Sequence, residues 1–141
     1  MSAFNVTRGH WLTVKSQCQA VRTPVFVDEQ RVDPSEEWDD MDEVSLHFLA
    51  CTPDGEPIGT ARLLPDGHIG RMAVLAPWRG QGVGDALLRS AIAAGLEAGH
   101  SELILHAQTH AAGFYARFGF VATGDEFDEA GIPHVRMTLT I

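Results

Sequence analysis

Two Asp-Gly pairs, Asp54-Gly55 and Asp66-Gly67, restrict this chain more than any other local feature. They separate three strand-like runs, residues 45–52, 58–64 and 68–75. An Asp-Gly pair supplies the positive φ that a tight hairpin turn requires, so the middle of the chain is expected to fold as an antiparallel meander. The continuation is equally restrictive. The third run leads through Pro77 and Trp78 into Arg79-Gly80-Gln81-Gly82-Val83-Gly84 and straight into a helical pattern. That helix is expected over 82–98, with Val83, Leu87, Leu88, Ala91 and Ile92 on one face and Gly99 ending it.

The flanking elements follow from the same periodicities. Residues 4–7 form a short strand candidate, and Val14, Cys18, Val21 and Val25 recur at helical spacing. Pro24 interrupts that pattern, so Thr23 is expected as a cap and Pro24 as the first residue of a second short helical stretch. Residues 102–107 are an apolar strand and 111–118 a short helix. At the C-terminus Val135, Met137, Leu139 and Ile141 face one way, and Arg136, Thr138 and Thr140 the other. The expected order is β-α-α-β-β-β-α-β-α-β-β, an α/β (mixed α+β) arrangement with the sheet covered by helices. No repeat or linker divides the chain, and a single domain over 1–141 is expected.

Composition excludes several classes. The chain has 141 residues, enough for one core, and a net charge of −9 that would repel nucleic acid. No apolar run approaches the ~18 residues a membrane helix needs. The N-terminal residues lack a basic n-region and an apolar h-region, so a cytoplasmic protein is expected. Cys18 and Cys51 sit in apolar patterns and read as buried, reduced thiols. The seven histidines are dispersed without ligand spacing, so no metal site is expected.

An acidic chain that binds an anion must hold it with local groups. The glycine turn offers them. Glycines at alternate positions let backbone N–H groups approach a ligand. No Ser, Thr, Asp or Asn precedes the helix to cap its first N–H groups, and the helix dipole and Arg79 both favour negative charge. The spacing G-x-G-x-G differs from the dinucleotide fingerprint, and no Gly-Lys-Ser/Thr follows, which excludes a P-loop.

These residues resemble the GNAT superfamily of N-acetyltransferases. Its signature Arg/Gln-x-x-Gly-x-Gly/Ala is met by Arg79, Gly82 and Gly84, and its tyrosine before a Gly-Phe pair by Tyr115 in Phe114-Tyr115-Ala116-Arg117-Phe118-Gly119-Phe120. Phe26-Val27-Asp28-Glu29-Gln30, the acidic run before His47, His106-Ala107-Gln108 and Ala130-Gly131-Ile132-Pro133-His134 are similar to a small bacterial branch that includes glyphosate N-acetyltransferase. The resemblance implies a mixed, mainly antiparallel sheet flanked by helices. It also implies an acyl-CoA-dependent N-acyltransferase with acetyl-CoA as co-substrate and a small-molecule amine as acceptor. Dimers are common among such proteins.

Site residues follow by the same resemblance. Arg79, Gly80, Gln81, Gly82, Val83 and Gly84 would grip the cofactor's pyrophosphate. Met72, Ala73 and Val74, where their strand splays from its neighbour, would polarise the thioester carbonyl. Many relatives place an asparagine on the pantetheine arm seven positions before the tyrosine; here that position is Gln108. Tyr115 would be the general acid at the sulfur. His134, beside Pro133, would be the base, with His47, His106, Glu126 and Glu129 as competitors; a strand-end histidine satisfying backbone groups is its other reading.

The acidic run 36–43 would either line a pocket for a cationic amine or face solvent. Arg22, Arg62 and Arg71 lie near core elements, where each needs a carboxylate from the protein or from an amino-acid-like substrate. Trp11, Trp38 and Trp78 read as packing groups. A non-catalytic acyl-CoA-binding domain and a protein lysine or N-terminal acetyltransferase remain open at this level.

Overall fold

The computed structural model describes residues 3–141. Strand β1 (Asn5–His10) leads directly into helix α1 (Trp11–Arg22). The helix does not stop where Thr23 was expected to cap it. Thr23 is itself right-handed helical (φ −63°, ψ −52°), and the chain continues into the π-helical segment Thr23–Glu29. Pro24 has no N–H to donate and its ring crowds the preceding turn, so the helix widens instead of breaking. Gln30 N–H accordingly reaches back to the Val25 carbonyl at 3.0 Å.

A short helix α2 (Pro34–Glu37), capped by the Asp33 side chain, and a 3-10 turn lead to the meander. Strands β2 (Leu46–Cys51), β3 (Pro57–Leu63) and β4 (His68–Val74) pair antiparallel in succession, with β1 added to the free side of β2. Both hairpin turns are wider than a two-residue loop. Gly55 N–H bonds the Thr52 carbonyl at 2.8 Å and Gly67 N–H that of Leu64 at 3.0 Å, and each glycine is left-handed (φ 87° and 93°). The Asp-Gly signal marks these turns because glycine enters that region without a Cβ clash.

Helix α3 (Val83–Glu97) carries the chain back so that β5 (Glu102–Gln108) lies parallel to β4. It ends as Gly99 was expected to end it. Gly99 is left-handed, its N–H bonds the Leu96 carbonyl at 3.1 Å, and His100 N–H bonds that of Gly95 at 3.1 Å, a double C-terminal closure. Helix α4 (Ala112–Ala116) precedes β6 (Val121–Glu129) and β7 (Ile132–Thr140), giving the sheet order β1-β2-β3-β4-β5-β7-β6. The sheet is mixed and mainly antiparallel, as expected.

Helices cover both faces. Leu87, Leu88 and Ala91 of α3 are fully buried with Phe48, Ile58 and Leu103. On the other face α1 packs Cys18 and Val14 with Leu49, while the π-helical segment packs Val25 and Phe26 with Ala73. Gly59 lets α3 come close to β3, since a Cβ there would lie 2.8 Å from Val83 Cγ1.

Two features of β4 open the sheet. Arg62 pairs with Gly70 but Thr60 with Ala73, so β4 carries an extra residue, a bulge where Arg71 has φ 49°. Beside β5, pairing runs through His68↔Ile104 and Ile69↔Leu105 and then stops as the strands diverge. The wedge between them is the site.

Candidate active site

A cleft of about 940 Å³ occupies this wedge, walled by β4 from Gly70 to Val74, by Leu105, His106 and Gln108 of β5, and by the π-helical segment. Met72, Ala73 and Val74 all line it. Their backbone groups lose their β5 neighbours where the strands part, which leaves polar groups facing a ligand-sized space.

Tyr115, on α4, lines the same cleft. Its ring is held edge-on by Phe114 at 5.1 Å and Phe120 at 6.2 Å, and its hydroxyl reaches the Met72 Sδ at 3.8 Å. A thioether is a weak acceptor, so a better one can readily displace it. Burial pushes the phenol up to about 12, so it keeps its proton throughout the neutral range. The group is therefore suited to donate, not to act as a base.

Of the glycine turn, Arg79 and Gly84 line the cleft, while Gly80, Gln81, Gly82 and Val83 lie outside its lining. Gly80 (φ 75°) and Gly82 (φ 85°) are both left-handed, and a Cβ at either would meet nothing within 4 Å. Gly82 caps α3 without any side-chain bond, and the first helical closure is Ala86 N–H to the Gly82 carbonyl at 3.1 Å. Within the turn Arg79 N–H bonds the Ala76 carbonyl at 3.2 Å, while the first-turn N–H groups of α3 have no intrahelical acceptor and present donors at a helix N-terminus. The Val83 side chain is buried, so what it can offer a ligand is its N–H.

Arg79 differs from expectation in one respect. Its Nη1 and Nη2 clasp the Glu29 carboxylate at 2.8 and 2.7 Å, and its Nε donates to the Val74 carbonyl at 2.9 Å. The cation stands at the start of the turn, but its charge is already largely answered. Gln108 is similarly engaged: it exchanges amide bonds with Gln30 of 2.8 and 3.5 Å across the cleft. Glu29 and Gln30 figured in the sequence reading only within the family-like stretch 26–30, with no site role, and no local signal links them to partners 50 and 78 residues away.

His134 is buried on the cleft wall. Its Nδ1 lies 2.7 Å from the Ile132 carbonyl oxygen, and a carbonyl can only accept, so Nδ1 carries the hydrogen. In the neutral ring the lone pair is therefore on Nε2, and Glu129 Oε2 stands 3.7 Å from it. Among the competitors, His106 also lines the cleft and contacts Glu129 at 3.0 Å. His47 does not: it is buried against Trp11 and bonded to the Asp42 carbonyl at 2.8 Å, and burial holds its imidazole below the usual range. Glu126 lies on the exposed β6 edge, outside the cleft wall.

The acidic run is divided: Glu36, Asp39, Asp40 and Glu43 are exposed, Glu37 and Asp42 are buried, and Glu36, Glu37 and Asp39 line the cleft. Glu37 and Asp42 are buried and paired with Arg22 at 2.6 and 2.8 Å. Arg62 bonds Asp39 and Asp42 at 2.7 and 2.9 Å, and Arg71 bonds Asp39 at 3.2 Å. Trp38 and Trp11 flank the Arg22 guanidinium at 4.7 and 5.6 Å, a desolvated setting that planar guanidinium tolerates better than ammonium. The arginines thus find their carboxylates within the protein. Asp39, Arg62 and Arg71 of this cluster also line the cleft.

No group of three or more His, Cys, Asp or Glu side chains among the described residues could hold a metal ion, and no described helix is long and apolar enough to cross a membrane. The structure thus brings a phenol that keeps its proton and an imidazole lone pair into one cleft, beside a helix N-terminus that no side chain caps. Residues 14–141 match the acetyltransferase (GNAT) domain family, and the chain belongs to that family and is an acyltransferase. It is 40% identical over 122 residues to the N-acetyltransferase YjcF of Bacillus subtilis, covering 83% of this chain and 86% of that one. An acyl-CoA N-acyltransferase structure from Pseudomonas aeruginosa superposes with a TM-score of 0.85 at 33% identity, covering 96% and 98% of the two chains. Escherichia coli ElaA superposes with a TM-score of 0.84 at 28% identity, again over 96% and 98%.

Proposed function

We propose that this cleft moves an acetyl group from acetyl-CoA directly to the amine of a small molecule, with His134 as base and Tyr115 as acid. The observation that carries the reading is the pairing of proton states in one cleft: a free Nε2 lone pair on His134 and a firmly protonated phenol on Tyr115. The open ground above Gly80 and Gly82, at the N-terminus of α3, fits a pyrophosphate, and the diverging edge of β4 fits an extended arm.

Acetyl-CoA would bring an activated thioester. The rest is done by this chain. An alkylammonium, with pKa ~10, is not a nucleophile, so the amine must lose a proton before or during attack. His134 Nε2 accepts it. The N–C bond forms as the C–S bond breaks, backbone N–H groups of residues 72–74 answer charge on the carbonyl oxygen, and Tyr115 Oη donates its proton to the leaving sulfur.

A thiol-release screen over amines, amino acids and amino sugars at several pH values tests this. Amine-dependent release is expected, and Tyr115→Phe should lower kcat by about 100-fold, with little change in acetyl-CoA affinity. The acid limb of the rate profile should vanish in His134→Ala. A Tyr115→Phe enzyme of normal kcat, or an unchanged limb in His134→Ala, would remove the corresponding role.

A further inference from the structure

Glu129 stands between two imidazoles. Its Oε2 is 3.7 Å from His134 Nε2, while its Oε1 is 3.0 Å from His106 Nδ1. The three groups come from three adjacent strands, β6, β7 and β5, and all line the cleft. At 3.7 Å the carboxylate does not bond the His134 lone pair, so Nε2 stays open to an acceptor amine; yet it is close enough to face an imidazolium once the proton has arrived.

We propose that Glu129 is a positioning residue for the acyl transfer, the anion that stabilises His134 after it takes the amine's proton. His106, through Nδ1–H, holds that carboxylate in place. This role rests on His134 serving as the base. The proton leaves the acceptor nitrogen for His134 Nε2, and the Glu129 carboxylate faces the imidazolium so formed from 3.7 Å. Beyond His106 stands His68, edge-on at 5.8 Å and bonded through Nδ1 to Asp66 at 2.9 Å. Phe127 of β6 packs both rings, stacked on His134 at 6.0 Å and edge-on to His106 at 5.2 Å. The fixed cation on this part of the sheet is Arg136, the cross-strand neighbour of His106, whose Nη1 is tied to Thr123 Oγ1 at 3.3 Å.

Glu129 and His106 are partly exposed, so exchanges at either spare the core. With the amine that the enzyme turns over best, Glu129→Gln should lower kcat about 10-fold, and leave the acetyl-CoA KM within about 2-fold. The acid limb of kcat/KM should move to lower pH, because the protonated ring has lost its anion. Glu129→Asp should recover most of the rate, and His106→Gln should reproduce a smaller part of the Glu129→Gln effect. A Glu129→Gln enzyme with wild-type kcat and limb would overturn the role. The His134→Ala profile separates the two readings. If its limb persists, the base assignment fails; if it vanishes while Glu129→Gln leaves the limb in place, the base stands and Glu129 is dismissed.

Discussion

Arg79 marks the anion seat in sequence, yet in the fold its charge is held by Glu29. A carboxylate at that position also sets a negative charge near any bound pyrophosphate. Glu29→Gln should therefore tighten CoA binding by about 2–10-fold by calorimetry, since it frees the guanidinium and removes like-charge repulsion. A looser complex would show that the clasp is needed to shape the turn. Tyr115, Arg79 and the glycines were legible because each belongs to a short contiguous motif. Glu29, Gln30 and Glu129 were legible as residues but not as partners. Their contacts are made by strands and turns distant in sequence, and nothing local encodes which carboxylate will face which ring. His134 was placed at a strand end, but its tautomer came from one carbonyl two residues away.

Among the elements, the segment from α2 to β2 changes meaning most between sequence and structure. Its carboxylates were readable as a charge run, but not as the ligands of Arg22, Arg62 and Arg71, because the pairing depends on α1 and two strands meeting there. Arg22 is 1% exposed and bonds both Glu37 and Asp42. Arg22→Met should cost about 3–5 kcal/mol, because it strands two buried carboxylates, not because the pair itself contributes that much. Urea unfolding monitored by Trp fluorescence reads this directly, and a loss below about 1 kcal/mol would mean that water replaces the guanidinium. The strands and α3 were legible from periodicity and glycine stops. The π-helical widening at Pro24 was not, since a proline in a helical pattern signals a break unless tertiary packing holds both sides, as Val21 and Val25 do here.

For the molecule as a whole, the same cluster sets the response to acid. Hydrogen bonds from Arg62 pull the Asp39 carboxyl from 3.8 down to about 2. A folded-state value below the unfolded one means the contribution is present above about 3.8 and is lost as pH falls through about 2. Asp39→Asn should thus lower stability at neutral pH and flatten the dependence across that window in acid-unfolding curves followed by circular dichroism. An unchanged slope would assign the acid sensitivity elsewhere.

The short contact between β4 and β5 has a consequence for how the chain assembles. The meander closes from neighbours in sequence, and β6 and β7 close on each other through the Ala130-Gly131 turn, so each half is made by short loops at low entropic cost. The halves are joined through the α3 crossover, which lays β5 beside β4, where the paired residues are His68 and Ile69 with Ile104 and Leu105. The cleft is thus the joint between two leaves that share one apolar core. A small rotation at that joint would alter its width while both leaves keep their hydrogen bonds, and the shared core limits how far it can go.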